Sequence, residues 1–111
     1  MTETLDPEDN KIITLARSVR ARNGSPEGAA VRDETGRTYA ATGVALPSLT
    51  LSAIQVAVAM ALSSGAKSLE AAALVTDAGD PDAADLAVIG DVGGGTLFLA
   101  APDGSVKGRY S

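Results

Sequence analysis

No histidine, cysteine or tryptophan occurs in this 111-residue chain, and Tyr39, Phe98 and Tyr110 are its only aromatic residues. The first two absences exclude thiol chemistry, zinc-thiolate sites and imidazole acid–base catalysis. Any chemistry falls to hydroxyls, carboxylates, amines and the backbone. No disulfide framework can form, so a hydrophobic core must hold the fold. With 45% of residues hydrophobic and so few aromatics, that core is built from Ala, Val, Leu and Ile, whose small side chains let elements pack closely.

Positive charge is also scarce. A net charge of −5 opposes binding to a phosphate backbone, so no nucleic-acid partner is expected. Arg17, Arg20 and Arg22 spread over one side of a helix and read as a solvated face. Long hydrophobic runs are missing as well. The uncharged stretch 43–66 is broken by Pro47 and by Ser, Thr and Gly, and its helical part would span only ~21 Å, too short for a bilayer. Met1 to Asn10 is acidic and polar, unlike a signal peptide, so a cytoplasmic protein without a membrane partner is expected.

What is present reads as alternating elements in a single domain over 1–111, with residues 1–6 flexible. Asp6-Pro7-Glu8-Asp9 combines a capping carboxylate, a first-turn proline and acids at the positive end of a helix dipole. Ile12, Ile13, Leu15, Ala16 and Val19 continue an apolar face, predicting a helix over about 8–22 that Asn23-Gly24 ends. Gly28–Arg32 and Thr38–Thr42 flank Asp33-Glu34-Thr35-Gly36 as a β-hairpin. Leu51–Ser64 carries no charge and predicts a helix buried on every side, which in so small a domain calls for neighbouring subunits; a homo-oligomer is expected. Leu69–Thr76 reads as a buried strand, Asp80-Pro81-Asp82 opens a short helix over about 82–90, and Thr96–Ala101 and Val106–Tyr110 follow as strands around the Pro102–Ser105 turn. The order is α-β-β-α-β-α-β-β, an α/β domain with helices on both faces of a sheet.

Three local patterns invite chemistry and read better as structure. Ser64-Gly65-Ala66-Lys67 fits the S-x-x-K spacing of serine acylases, but Gly65 ends a helix where that chemistry needs one to begin. Gly93-Gly94-Gly95 follows a helix and precedes a strand, the reverse of a phosphate loop. Asp77, Asp80, Asp82 and Asp85 offer oxygen ligands for Mg²⁺ or Ca²⁺ without a calcium-loop spacing, and they also suit a helix start.

The run Glu27–Val31, the Asp33–Tyr39 hairpin, Leu49–Ala53, the Ala59–Gly65 helix end, Pro81–Val92 and the Pro102-Asp103-Gly104 turn together resemble the small homo-oligomeric cytidine deaminases over roughly residues 10–108. The resemblance implies a three-layer α/β/α sandwich around a mixed five-stranded sheet, assembled as a dimer or tetramer. It also implies a zinc site, whose Cys or His would stand at Ser52, whose proton-shuttling Glu would stand at Ile54, and whose two thiolates would stand at Asp82 and Asp85. The ribose clamp would fall at Gly43 and Ala45 and the stacking ring at Ser25. With every such position changed, the chain is expected to be a catalytically inactive protein, not an enzyme, with no metal and no cofactor, serving as an oligomeric scaffold or as the partner of another protein. Two alternatives stay open: a non-catalytic pocket for a nucleoside or other small molecule, and a repurposed hydrolase using Ser52, Asp82 and Asp85 with Mg²⁺ or without metal.

Overall fold

A computed structural model describes residues 5–111. The flexibility expected for residues 1–6 falls, for 1–4, outside the described residues. Asp6 accepts a hydrogen bond from the Glu8 amide at 2.9 Å and caps helix α1 (Pro7–Asn23), which Gly24 closes in the left-handed conformation. Strands β1 (Gly28–Asp33) and β2 (Thr38–Thr42) form the expected hairpin, and the next segment folds into a second, smaller one, β3 (Val44–Leu46) with β4 (Leu49–Leu51). Helix α2 (Ala53–Ser63), strand β5 (Leu69–Val75), helix α3 (Ala83–Asp91) and strands β6 (Thr96–Ala100) and β7 (Val106–Tyr110) complete the chain.

The main sheet has five strands in the order β2-β1-β5-β6-β7, with β5 and β6 parallel and every other neighbour antiparallel. Its central strands bury both faces. Ala30, Ala73, Val75, Phe98 and Ala100 meet Ile12, Ile13 and Ala16 of α1 on one side. Val31, Leu74, Leu97 and Leu99 meet Ile54, Ala57, Val58 and Ala61 of α2, with Ile89 of α3, on the other. Period-2 strands whose two faces are both apolar require cover on both sides, and α1 opposite α2 and α3 supplies it. The three-layer mixed α/β sandwich is therefore as expected from the sequence.

Close approach needs small residues. A Cβ at Gly28 would run into the Ala16 carbonyl oxygen, so glycine there lets α1 lie against the start of β1. Arg32 then ties the same helix to the sheet, its guanidinium 3.1 Å from Asp9 and 3.0 Å from Glu70. At the tip of the first hairpin, Asp33 is buried yet fully partnered. It accepts from the Thr35 hydroxyl and amide, the Arg37 amide and the Tyr39 hydroxyl, and these donors, Thr35 foremost, hold its pKa below the ordinary carboxylate value.

The expected burial of α2 on every side is met only in part within one chain. Ile54, Ala57 and Val58 are buried, whereas Met60 and Leu62 are 40% and 38% exposed, and Leu46 and Leu49 of the small hairpin are 57% and 47% exposed. Among the described residues no helix is long and apolar enough to cross a membrane.

Candidate functional site

Two helix starts build the candidate site. Ser52 is the N-cap of α2, its hydroxyl accepting from the Gln55 amide at 3.1 Å while the Gln55 side chain accepts from the Ser52 amide at 2.9 Å. This reciprocal capping box fixes the Ser52 rotamer and starts the helix at Ala53, two residues later than hydrophobicity alone predicts. Asp82 caps α3 by accepting from the Ala84 amide, which places Asp85 in the first turn facing inward. The Ser52 hydroxyl donates to Asp85 Oδ1 at 2.6 Å, a short charge-assisted contact across 33 residues of chain.

Asp85 is only 3% exposed. Burial pushes its pKa up; the Ser52 hydrogen bond opposes that rise, and the charges of Glu27 and Asp82 reinforce it. Among the described residues, no buried side-chain polar atom lacks a partner, so the pair sits in a completed network.

Ser52 also lines an open cavity of about 420 Å³, the size of a small-molecule site. Ser25, Gly43, Ala45 and Asp77 line it too, so five positions singled out from the sequence share one concave surface. Gly43 is small for a local reason as well: a Cβ there would sit 3.0 Å from the Leu51 carbonyl oxygen. The remaining wall is mostly apolar, with Val44, Leu51 and Ala53, and polar at Glu27 and Thr76.

The other sequence-predicted positions lie elsewhere. Ile54 is 0% exposed and packs in the core between α2 and the sheet, and it does not line the cavity. Asp82 is exposed and occupied with its own helix. Asp77 is the exception: it lines the cavity rim and approaches Arg20 at 3.8 Å at the surface. Ser64 ends α2, and the Lys67 amide donates to Glu34, as a helix terminus and turn require. Gly93 and Gly94 follow α3 with positive φ before β6 begins.

Sequence reasoning missed Glu27 and Thr76. They meet because Gly28 pairs with Val75 in the sheet, which brings the residues beyond those strand ends together, and Thr76 Oγ1 donates to Glu27 Oε2 at 2.9 Å. No local motif carries that pairing. The capping box, by contrast, was readable as Ser52-x-x-Gln55.

A family model described as cytidine deaminase-like matches residues 5–104. Among solved structures, cytidine deaminase from Burkholderia pseudomallei is 22% identical with a TM-score of 0.79, over 100% of this chain and 93% of that one. Cytidine deaminase from Mycobacterium tuberculosis is 25% identical with a TM-score of 0.70, over 92% and 90%. The Mycobacterium leprae cytidine deaminase gives 22% and 0.70, over 91% and 92%. No curated protein matches the chain. These matches correct the expectation that the chain is not an enzyme, because the family and its solved members point to an enzyme. That expectation rested on the replaced zinc-ligand and proton-shuttle positions; of these, the Ser52 hydroxyl and the buried Asp85 carboxylate meet at the edge of the cavity.

Proposed function

We propose a function for this chain from the fact that it belongs to the cytidine deaminase-like family: it is an enzyme that hydrolyses a small nucleoside-like substrate in the cavity beside α2, with Ser52 and Asp85 as its acid–base relay. The observation that carries this reading is the 2.6 Å contact between the Ser52 hydroxyl, which lines the cavity, and the Asp85 carboxylate.

The relay works as follows. Water in the cavity gives a proton to Ser52 Oγ as the Ser52 proton passes to Asp85, and the resulting hydroxide attacks the substrate. Asp85 then returns the proton through Ser52 to the leaving group. A carboxyl whose pKa is raised by burial is a better base for this step than an ordinary aspartate, because its proton affinity lies closer to neutrality. The N-terminus of α2 adds a positive partial charge beside the developing anion.

The reading involves no zinc. Zinc of the deaminase type asks for thiolate or imidazole donors, and this chain has neither. The residues at those positions are otherwise committed: the Ser52 oxygen accepts from Gln55 and donates to Asp85, and Asp82 caps its own helix. They do not fit the metal, and no step runs through it.

The test is turnover. The purified protein is incubated with cytidine, deoxycytidine and the purine nucleosides, and products and released ammonia are quantified. Turnover that falls by roughly 10²-fold or more in both Ser52→Ala and Asp85→Asn is expected. No product from any nucleoside, or turnover untouched by Asp85→Asn, overturns the reading.

The exposed Met60, Leu62, Leu46 and Leu49 support a homo-oligomer in which a second copy covers α2 or the small hairpin. Sedimentation should show a dimer or larger assembly that Leu62→Glu disrupts; a monomer in the wild type rejects this.

A further inference from the structure

Glu27 is the one carboxylate of the cavity wall held in place by a hydrogen bond from another wall residue. Its anchor, Thr76, is itself buried and hydrogen-bonded. The Ala78 amide donates to the Thr76 hydroxyl at 3.1 Å, and Lys107 Nζ of β7 donates to the carbonyls of Thr76 and Ala78 at 2.7 and 2.6 Å. Glu27 is therefore positioned by a neutral hydroxyl through Oε2, and among the described residues no donor meets its Oε1 and no Lys or Arg pairs with it.

Two cations beside this wall, Arg20 and Lys107, have partners other than Glu27. Arg20 donates from Nε to the Pro26 carbonyl and lies 3.8 Å from Asp77, and Lys107 is satisfied by backbone carbonyls. Among the described residues, no Lys or Arg lines the cavity, whose other carboxylate is Asp77. Behind Ser52, Asp85 carries a further acid whose proton affinity the Glu27 charge raises. A fixed carboxylate on a mostly apolar concave wall attracts a cation more strongly than the same carboxylate in open water, because its surroundings screen it less.

The geometry points to a narrower substrate class for this cavity: a nucleoside-like, ring-sized molecule bearing a protonated amine or amidine that seats against Glu27, with Glu27 as the specificity-determining residue. The inference rests on the cavity being the substrate site. It adds something that the Ser52–Asp85 relay does not require, since that relay would serve a neutral substrate equally well.

The experiment uses three probes of one shape and three charges: benzylamine, benzyl alcohol and benzoate, titrated into ¹⁵N-labelled protein. Benzylamine should shift the amides of Gly43, Ser52 and Thr76 and saturate at a concentration at least about tenfold below that needed for benzyl alcohol, with benzoate weakest. In Glu27→Gln, which keeps an acceptor for Thr76, benzylamine should bind no better than the alcohol. Equal binding of amine and alcohol in the wild type, or an amine preference that survives Glu27→Gln, overturns the charge selection while leaving the cavity as a binding site. If none of the probes moves those amides, the inference and the cavity reading fall together.

Discussion

The Ser52 hydroxyl donates to the Asp85 carboxylate at 2.6 Å, joining the first turn of α3 to the cap of α2 at the edge of a cavity. Asp85 is buried at an energetic cost that a structural role alone does not demand, because an amide would make the same hydrogen bond without the charge. Asp85→Asn should therefore lower turnover by roughly 10²-fold or more and at the same time stabilise the fold by about 1 kcal/mol. Paired nucleoside assays and thermal melts check both signs, and a variant that is both inactive and less stable contradicts this account.

The same residue fixes a pH dependence. An aspartate whose folded pKa is raised above the ordinary 3.8 binds its proton more tightly when folded. It favours the fold below that value, and the benefit is lost as pH rises through the window between 3.8 and the raised pKa. Asp33 and Asp103, whose pKa values are lowered chiefly by the hydroxyls of Thr35 and Ser105, act in the opposite sense: their stabilisation is present above the ordinary value and lost as pH falls through the folded one. Comparing wild type with Asp85→Asn isolates the first effect. The Tm advantage of the variant should be near zero at about pH 3 and grow to a plateau toward neutrality. A difference that does not change with pH would show that Asp85 has no raised pKa.

Ile54 supplies a different test. It stands where the resemblance to cytidine deaminases implies a proton-shuttling glutamate, but it is wholly buried between α2 and the sheet. Ile54→Ala should cost about 3 kcal/mol through the cavity it leaves. Ile54→Glu should cost more, because the carboxylate would enter an apolar core without a partner, and it should add no deamination. Denaturant unfolding with the nucleoside assay reads both.

Gly28→Ala tests the seat of α1. The added methyl would meet the Ala16 carbonyl, so the helix must lift from β1 and part of the interface around Ile12 and Ala30 must open. A loss of about 2 kcal/mol is expected, well above the gain that Ala ordinarily brings over Gly through the unfolded chain. Urea unfolding measures it; an unchanged midpoint would mean that the helix seat is loose.

The frame was legible because its signals are local. Asp6-Pro7 and Pro81-Asp82 announce helix starts with cap chemistry that does not depend on the rest of the fold, and Leu97 through Ala100 alternate between two covered faces. The small hairpin was not legible: its strands are three residues each, and Leu46 and Leu49 stay exposed, so no burial pattern marks them. Of the site, Ser52, Ser25, Gly43 and Ala45 could be located by their neighbours in sequence. Glu27 and Thr76 are 49 residues apart and meet only through the register of β1 with β5, which composition and periodicity do not encode. The convergence of Ser52 with Asp85, by contrast, follows from the resemblance, which brings the two helix starts together, whereas the step from changed zinc positions to no enzyme is overturned by the family match.

One oxygen atom at Ser52 serves as helix cap and as the partner of Asp85. A cysteine at that position would be a poor acceptor for the Gln55 amide and a poor donor to the buried acid. A mutational walk toward a thiolate metal site would lose the cap and strand Asp85 at its first step, before a second or third ligand had appeared. In this chain the hydroxyl–carboxylate pair and the start of α2 are therefore one thermodynamic unit: any change made at Ser52 for chemistry is also a change to the helix end.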